Sequence, residues 1–217
     1  MPKRRIFGNL LFWFQIVCAT IFFATQAVKM MKSTEGNLLS FFLCHFIFAV
    51  INLWLSVLAF KESTDGERTI KKQSIFIYAM WSLFIGGHFF IAFFKMPEVW
   101  KHTDTVTLFI VIAGVILTIA IAKIKKLPLL DAYVKAGLAV FFKSVPQVAL
   151  AFSIYLYGER GLSGWWILLG NITIITRIVH LVVSNHQGWN RNTRGSLISE
   201  IWNEASWAVA SIAWIVF

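Results

Sequence analysis

The chain's 217 residues are 58% hydrophobic and 16% aromatic, with 14% charged, where an ordinary soluble domain carries about 25% charge. That composition excludes a water-soluble globular domain. The formal net charge of +10 points to a membrane rather than to nucleic acid, because the cations fall in clusters between apolar runs.

Seven such runs are long enough to cross a bilayer, which takes about 20 residues as helix. Barrel strands are excluded, since the runs are too long and lack alternation, and lipid leaves an open backbone no partner. The expectation is an all-α polytopic membrane protein with seven transmembrane helices. The first run, Ile6–Val28, is too long for a cleavable signal and has no small-x-small site before its polar link. It carries Cys18, passes through Phe22-Phe23-Ala24-Thr25-Gln26, and gives way to Lys32-Ser33-Thr34-Glu35-Gly36. The second, Leu38–Phe60, holds Cys44, His45, Asn52 and Trp54, and the third, Ser74–Phe94, holds Trp81 and Gly86-Gly87-His88.

The fourth run, Thr105–Ala122, has no ionisable residue until Lys123 and is apolar all round, which suits a helix that faces lipid or packs passively. The fifth, Ala132–Tyr157, contains Phe141-Phe142-Lys143-Ser144-Val145-Pro146-Gln147 and is followed by Gly158-Glu159-Arg160-Gly161. The sixth, Leu162–Ser184, carries Asn171, Arg177 and His180; the seventh, Leu197–Phe217, carries Glu200, Asn203, Glu204 and Trp207.

An apolar run, a glutamine, a polar link with glycine and a second apolar run thus occur twice. With Gln26 and Gln147 as anchors, the first three runs match the last three. Three-span units start and end on opposite faces, so two of them lie parallel only if one extra helix returns the chain. The expected arrangement is three plus one plus three: residues 1–103 as the first triple, 104–130 as the linker helix and 131–217 as the second triple. Alternating spans place twelve cations on the face of the N-terminus and five on the other. By the positive-inside rule the N-terminus is cytoplasmic and the C-terminus lies outside, in a plasma or bacterial inner membrane, with lipids as partners and a homo-oligomer open.

Pro146 removes a backbone donor and crowds the carbonyl of Phe142, so the fifth helix should bend or loosen over 142–146. Lys143 and Gln147, four residues apart, share a face. A lysine at mid-span costs upward of ~2.5 kcal/mol unless paired or hydrated; it reads either as an attraction for an anionic group on a solute or as half of a structural ion pair. No Asp or Glu falls within the first six runs. Arg177 and Glu204 share a depth, with Glu200 and His180 close by, and form either a register-fixing pair or a gate. His45 and His88 read as packed residues or as relay groups. Trp54, Trp81, Trp202 and Trp207 are candidates for a cavity wall that would suit a flat solute, while Trp13, Trp100, Trp165, Trp166 and Trp189 read as interfacial anchors. Cys18 and Cys44 read as small apolar residues. No CxxC, HExxH or phosphate-loop spacing occurs, so neither metal nor cofactor is expected, and no nucleophile lies beside a base, so no enzyme is expected.

Val145-Pro146-Gln147 with Gly161-Leu162-Ser163, and Gln26 with Lys32-Ser33-Thr34-Glu35-Gly36, resemble the PQ-loop family and the wider SWEET-like transporter group, with Thr25 where the first repeat would have proline. The resemblance implies a hinge at Pro146 and a central site that includes an asparagine from each half, for which Asn52 and Asn171 are the candidates. It implies a transporter moving a small polar solute, such as a sugar, amino acid or vitamin, by alternating access. The site residues expected are Gln26, Asn52, Trp54, Lys143, Gln147, Asn171 and Trp207. Lack of a carboxylate in the first six runs favours facilitated diffusion. The alternative is a ligand-binding membrane receptor on the same fold, similar to KDEL receptors.

Overall fold

A computed structural model of the chain describes residues 2–61, 63, 68–95, 100–184 and 191–217, and among these there is helix and no strand. The helices are α1 (Pro2–Lys32), α2 (Leu39–Lys61), α3 (Arg68–Lys95), α4 (His102–Ile124), α5 (Ala132–Ala139), α6 (Val145–Tyr157), α7 (Gly164–Ser184) and α8 (Arg191–Val216). A π turn over Val140–Ser144 joins α5 to α6 into one rod, so the eight labels describe seven rods. Six rods are long and apolar enough to cross a membrane: Ile6–Lys32, Leu39–Lys61, Lys71–Lys95, His102–Ile124, Ala132–Tyr157 and Gly164–Val183. The protein is therefore a multi-pass helical membrane protein. α8 has the length, but its polar residues lower its mean hydropathy. Those residues, Glu200, Asn203 and Ser206, are buried against the rest of the bundle.

α3 packs against both α1 and α2, and α8 packs against α5, α6 and α7. The two groups meet where α1 lies along α7 and where α2 lies along the fifth rod, with α4 against α2 and the fifth rod. The core between them is aromatic: Phe23 stacks on Phe84 with ring centroids 5.0 Å apart, and Trp166 meets Phe22 edge-on at 4.9 Å. Outward, Leu83, Phe94, Phe109 and Ile116 are exposed, as befits a surface solvated by lipid tails.

α4 is more than a passive strut. Gly114 lets it approach the fifth rod so closely that an added Cβ would lie 2.1 Å from the Phe141 ring. It also carries Asp104, fully buried within a membrane-length helix, which corrects the expectation that the first six spans hold no carboxylate. Asp104 is a cap: one oxygen accepts the Ser40 N–H at 2.8 Å and the other the Lys101 N–H at 3.0 Å, satisfying the starts of both α2 and α4.

Polar contacts define two ends. At the end of the N-terminus, Gln73 Nε2 donates to Asn9 at 3.0 Å and Arg191 Nε donates to Asp131 at 2.9 Å, a bond that holds the Asp131 carboxyl below its usual range. At the other end the two groups are bolted together by Gln26. Its Nε2 donates to Asn37 Oδ1 and to the Gly161 carbonyl, each at 3.1 Å, and its Oε1 accepts the Ser163 N–H at 2.7 Å. Lys29 adds bonds to the carbonyls of Arg160 and Leu162. These contacts require two link loops to touch backbone to backbone. Gly36, at φ +74°, sits so close to Gly161 that a Cβ on Gly161 would fall 2.1 Å from the Gly36 oxygen.

Gly161→Ala is accordingly expected to lower the melting temperature of the purified protein, at a cost of about 1–3 kcal/mol for forced overpacking. Gly87→Ala, whose Cβ would meet nothing within 4 Å, should leave it unchanged or slightly raised. Equal melting temperatures for the two variants would contradict the backbone contact.

Candidate functional site

The central feature grows from the fifth rod. Pro146 lacks the N–H that would continue the helix and its ring presses on the preceding turn. The chain accommodates this with the π turn, in which the Val145 N–H reaches back to the Val140 carbonyl. Such wide turns relieve crowding within a helix. Lys143 lies in that turn and Gln147 one turn beyond it, and both point into the bundle, with Lys143 only 5% exposed.

Glu200 of α8 meets Lys143. The Lys143 ammonium is 3.4 Å from Glu200 Oε1, and Arg177 Nε of α7 is 3.3 Å from the same oxygen. Asn203 Nδ2 donates to the other carboxylate oxygen at 3.3 Å, and Arg177 Nη2 donates to the Tyr78 hydroxyl of α3 at 3.0 Å. Gln147 Nε2 donates to Asn203 Oδ1 at 2.9 Å, while its Oε1 accepts from the Ser206 hydroxyl. Lys143 also rests 5.1 Å from the centroid of the Phe48 ring. Two cations thus share one buried carboxylate inside a cage of donors and rings.

This cluster forms one wall of a cavity lined otherwise mainly by rings such as Phe41, Phe42, Trp81, Trp166 and Trp207. A second cavity shares Phe48, Tyr78, Arg177 and Glu200 with the first. It extends past Asn52, Lys135 and Ser199 to Lys71 and Leu130, at the end of the bundle that carries the N-terminus. The cluster therefore stands at the neck between an aromatic chamber and a polar vestibule. On the far side, the aromatic core and the Gln26 bolt close the chamber.

Of the residues expected at the centre, Lys143, Gln147 and Trp207 line the chamber, and Asn52 lines the vestibule, donating to the Phe48 carbonyl at 2.8 Å. The others lie elsewhere. Gln26 is a structural bolt at the closed end, so the two glutamines of the repeated pattern have different tasks. Asn171 donates to the Ile167 carbonyl at 2.7 Å and to Ser211 at 2.8 Å, tying α7 to α8 away from the chamber lining. Trp54 is 57% exposed on the outer surface of α2, and Trp202 is likewise turned outward. Trp166, expected at an interface, is buried in the aromatic core; Trp189 falls outside the described residues.

The ion pair is also reassigned. Arg177 meets Glu200 and not Glu204, because Glu200 is the α8 carboxylate turned toward Lys143. Glu204 is half-buried one turn on, with Oε2 lacking a hydrogen-bond partner among the described residues, and His180 stands outside the cluster on α7. His88 has both ring nitrogens near carbonyls, Phe84 at 2.6 Å and Phe23 at 3.0 Å, and serves α1–α3 packing. His45 bonds the Phe41 carbonyl at 2.8 Å and lines the chamber. Tyr78 and Asn203 are the functional candidates not singled out from sequence. A lone tyrosine within a phenylalanine-rich span is a usable signal, since a buried phenol needs a partner.

Comparison with known protein families, curated proteins and solved structures finds no match to this chain.

The charge count of the cluster sets an order of tolerance. Glu200→Gln leaves two buried cations without a counter-charge, and is expected to cost about 3–5 kcal/mol of stability. Lys143→Met leaves the Arg177–Glu200 pair balanced and should cost clearly less. Melting curves in one detergent test this, and a larger loss for Lys143→Met than for Glu200→Gln would contradict it.

Proposed function

We propose that this protein is a transporter of the PQ-loop and SWEET-like kind, moving a small polar solute between the two faces of a membrane by alternating access. The observation that carries the reading is a central chamber that shares Phe48, Tyr78, Arg177 and Glu200 with a vestibule at one end of the bundle. The chamber joins a vestibule at the end of the N-terminus and is closed at the other end by Gln26, Gly36 and Gly161. Such a closed end held by a few polar bonds and a backbone contact is a gate that can be exchanged for another.

The packing supports a parallel-repeat reading with α8 as a seventh span. In each triple the third rod packs against the first two, α3 against α1 and α2, and α8 against the fifth rod and α7. Two such units meeting around a chamber can rock as bodies about it. The widened turn before Pro146 lies beside the chamber, where a change of bend would move Lys143 and Gln147 relative to α8. On the positive-inside reading of the cation distribution, which puts the N-terminus in the cytoplasm, this arrangement would be an inward-facing state.

The test has two stages. Thermal shift against glucose, the common amino acids and nicotinate selects a solute, because a ligand of the native state raises its melting temperature. Proteoliposomes loaded with that solute should then show counterflow of the labelled compound. Pro146→Ala should slow exchange about ten-fold with binding unchanged, the pattern of a lost conformational step. Saturable binding with no counterflow would sink the transporter reading and favour a receptor.

A further inference from the structure

The chamber's charges do not balance. Its ionisable lining comprises Lys143, Arg177, Glu200 and His45, so with His45 neutral it holds two cations against one carboxylate. Among the described residues the vestibule lining adds Lys71 and Lys135 and no further carboxylate. Glu204, the next acid along α8, is outside both linings. Lys135, Lys143 and Gln147 follow one another along the fifth rod from vestibule to chamber, so the excess positive charge runs along the path itself. Low-dielectric walls on such a path concentrate ions of the opposite sign.

The pairing at the neck is loose. Both cations approach the single oxygen Glu200 Oε1, at 3.4 and 3.3 Å, whereas a tight charge-assisted bond is about 2.7–2.9 Å. Among the described residues the Arg177 guanidinium makes one hydrogen bond, to Tyr78, out of five available donors. A second carboxylate could therefore enter the neck without displacing Glu200 and would neutralise the surplus. Beyond the neck the chamber offers faces of Phe41, Phe42, Trp81, Trp166 and Trp207, which suit a flat ring better than a hydroxyl-rich body.

Resting on the transporter reading above, we infer that the solute is a small monoanion: a carboxylate carried on an aromatic or heteroaromatic ring, its charged end between Lys143 and Arg177 and its ring among the aromatic side chains. A sugar leaves the surplus charge unanswered, and an amine adds to it. Lys143 is then the residue that selects for charge, and the rings select for shape.

The probes are benzoate and nicotinate, their neutral isosteres benzamide and nicotinamide, and the cation benzylamine, titrated by calorimetry into the full chain in lipid nanodiscs. The carboxylates should bind about ten-fold or more tightly than their amides, as expected for one charge-assisted contact, and benzylamine should not bind. In Lys143→Gln the preference for acid over amide should fall to within about two-fold. Amides or benzylamine binding as tightly as the acids, or no binding of either acid to the wild-type chain, would overturn the inference, and neither result requires a variant to fold. Counterflow separates the two claims. Exchange of a neutral solute with no carboxylate affinity removes the anion site and leaves the transporter. Tight benzoate binding without benzoate counterflow retains the anion site and removes the transporter.

Discussion

Lipid tails offer no partner to a polar group, so whatever polarity a membrane bundle keeps at its centre must be satisfied from within. In this protein that constraint is concentrated at the Lys143–Glu200–Arg177 cluster. Lys143 is placed there by the fifth rod, and it can stay only because α8 supplies a carboxylate and α7 a second cation to hold that carboxylate in line. Asn203, Ser206, Gln147 and Tyr78 then take up part of the remaining hydrogen-bonding capacity. The polarity that makes α8 the least lipid-like of the rods is what the other rods need from it. Replacing such a cluster with apolar residues often costs little stability, so its presence beside a chamber argues for a use beyond holding helices in register.

The opposite end of the bundle is held by different chemistry. There Gln26 makes three neutral hydrogen bonds, one to Asn37 in its own triple and two across the interface to Gly161 and Ser163, over a contact between two glycine backbones. Neutral bonds of this kind contribute about 0.5–1.5 kcal/mol each, enough together to favour a closed end and few enough for ligand binding to offset. In the proposed transporter the charged cluster near the middle would select and the neutral bolt at one end would seal.

The run boundaries were legible in sequence because bilayer thickness imposes a length on every span. Depth was legible for the same reason: Lys143 and Gln147 could be placed near mid-span, and Arg177 about two turns from a span end, by counting 1.5 Å per residue. The angle about each helix axis was not. A soluble helix shows its buried side as an apolar stripe, but in lipid both sides are apolar and the stripe disappears. Hence Trp54 and Trp207, both cavity-wall candidates by sequence, lie outside and inside, and Glu200 takes the partner expected for Glu204, one turn away. Gln26 and Gln147 share a sequence context yet differ in use, because one sits at a span end facing a loop and the other at mid-span facing α8. The loosened turn before Pro146 was the exception, since proline acts through its own backbone and needs no neighbour to be read.

The central claim is that the chamber and its cluster are reached from one end only, the end of the N-terminus. Sided labelling with a membrane-impermeant thiol reagent tests it most directly, in a background with Cys18 and Cys44 replaced by alanine. Ser199→Cys, in the vestibule beside Glu200, should react from the face of the N-terminus, while Thr25→Cys, beneath the Gln26 bolt, should be protected from both faces. A Ser199→Cys that stays unreactive from that face, or a Thr25→Cys that labels readily from the opposite one, would contradict the account.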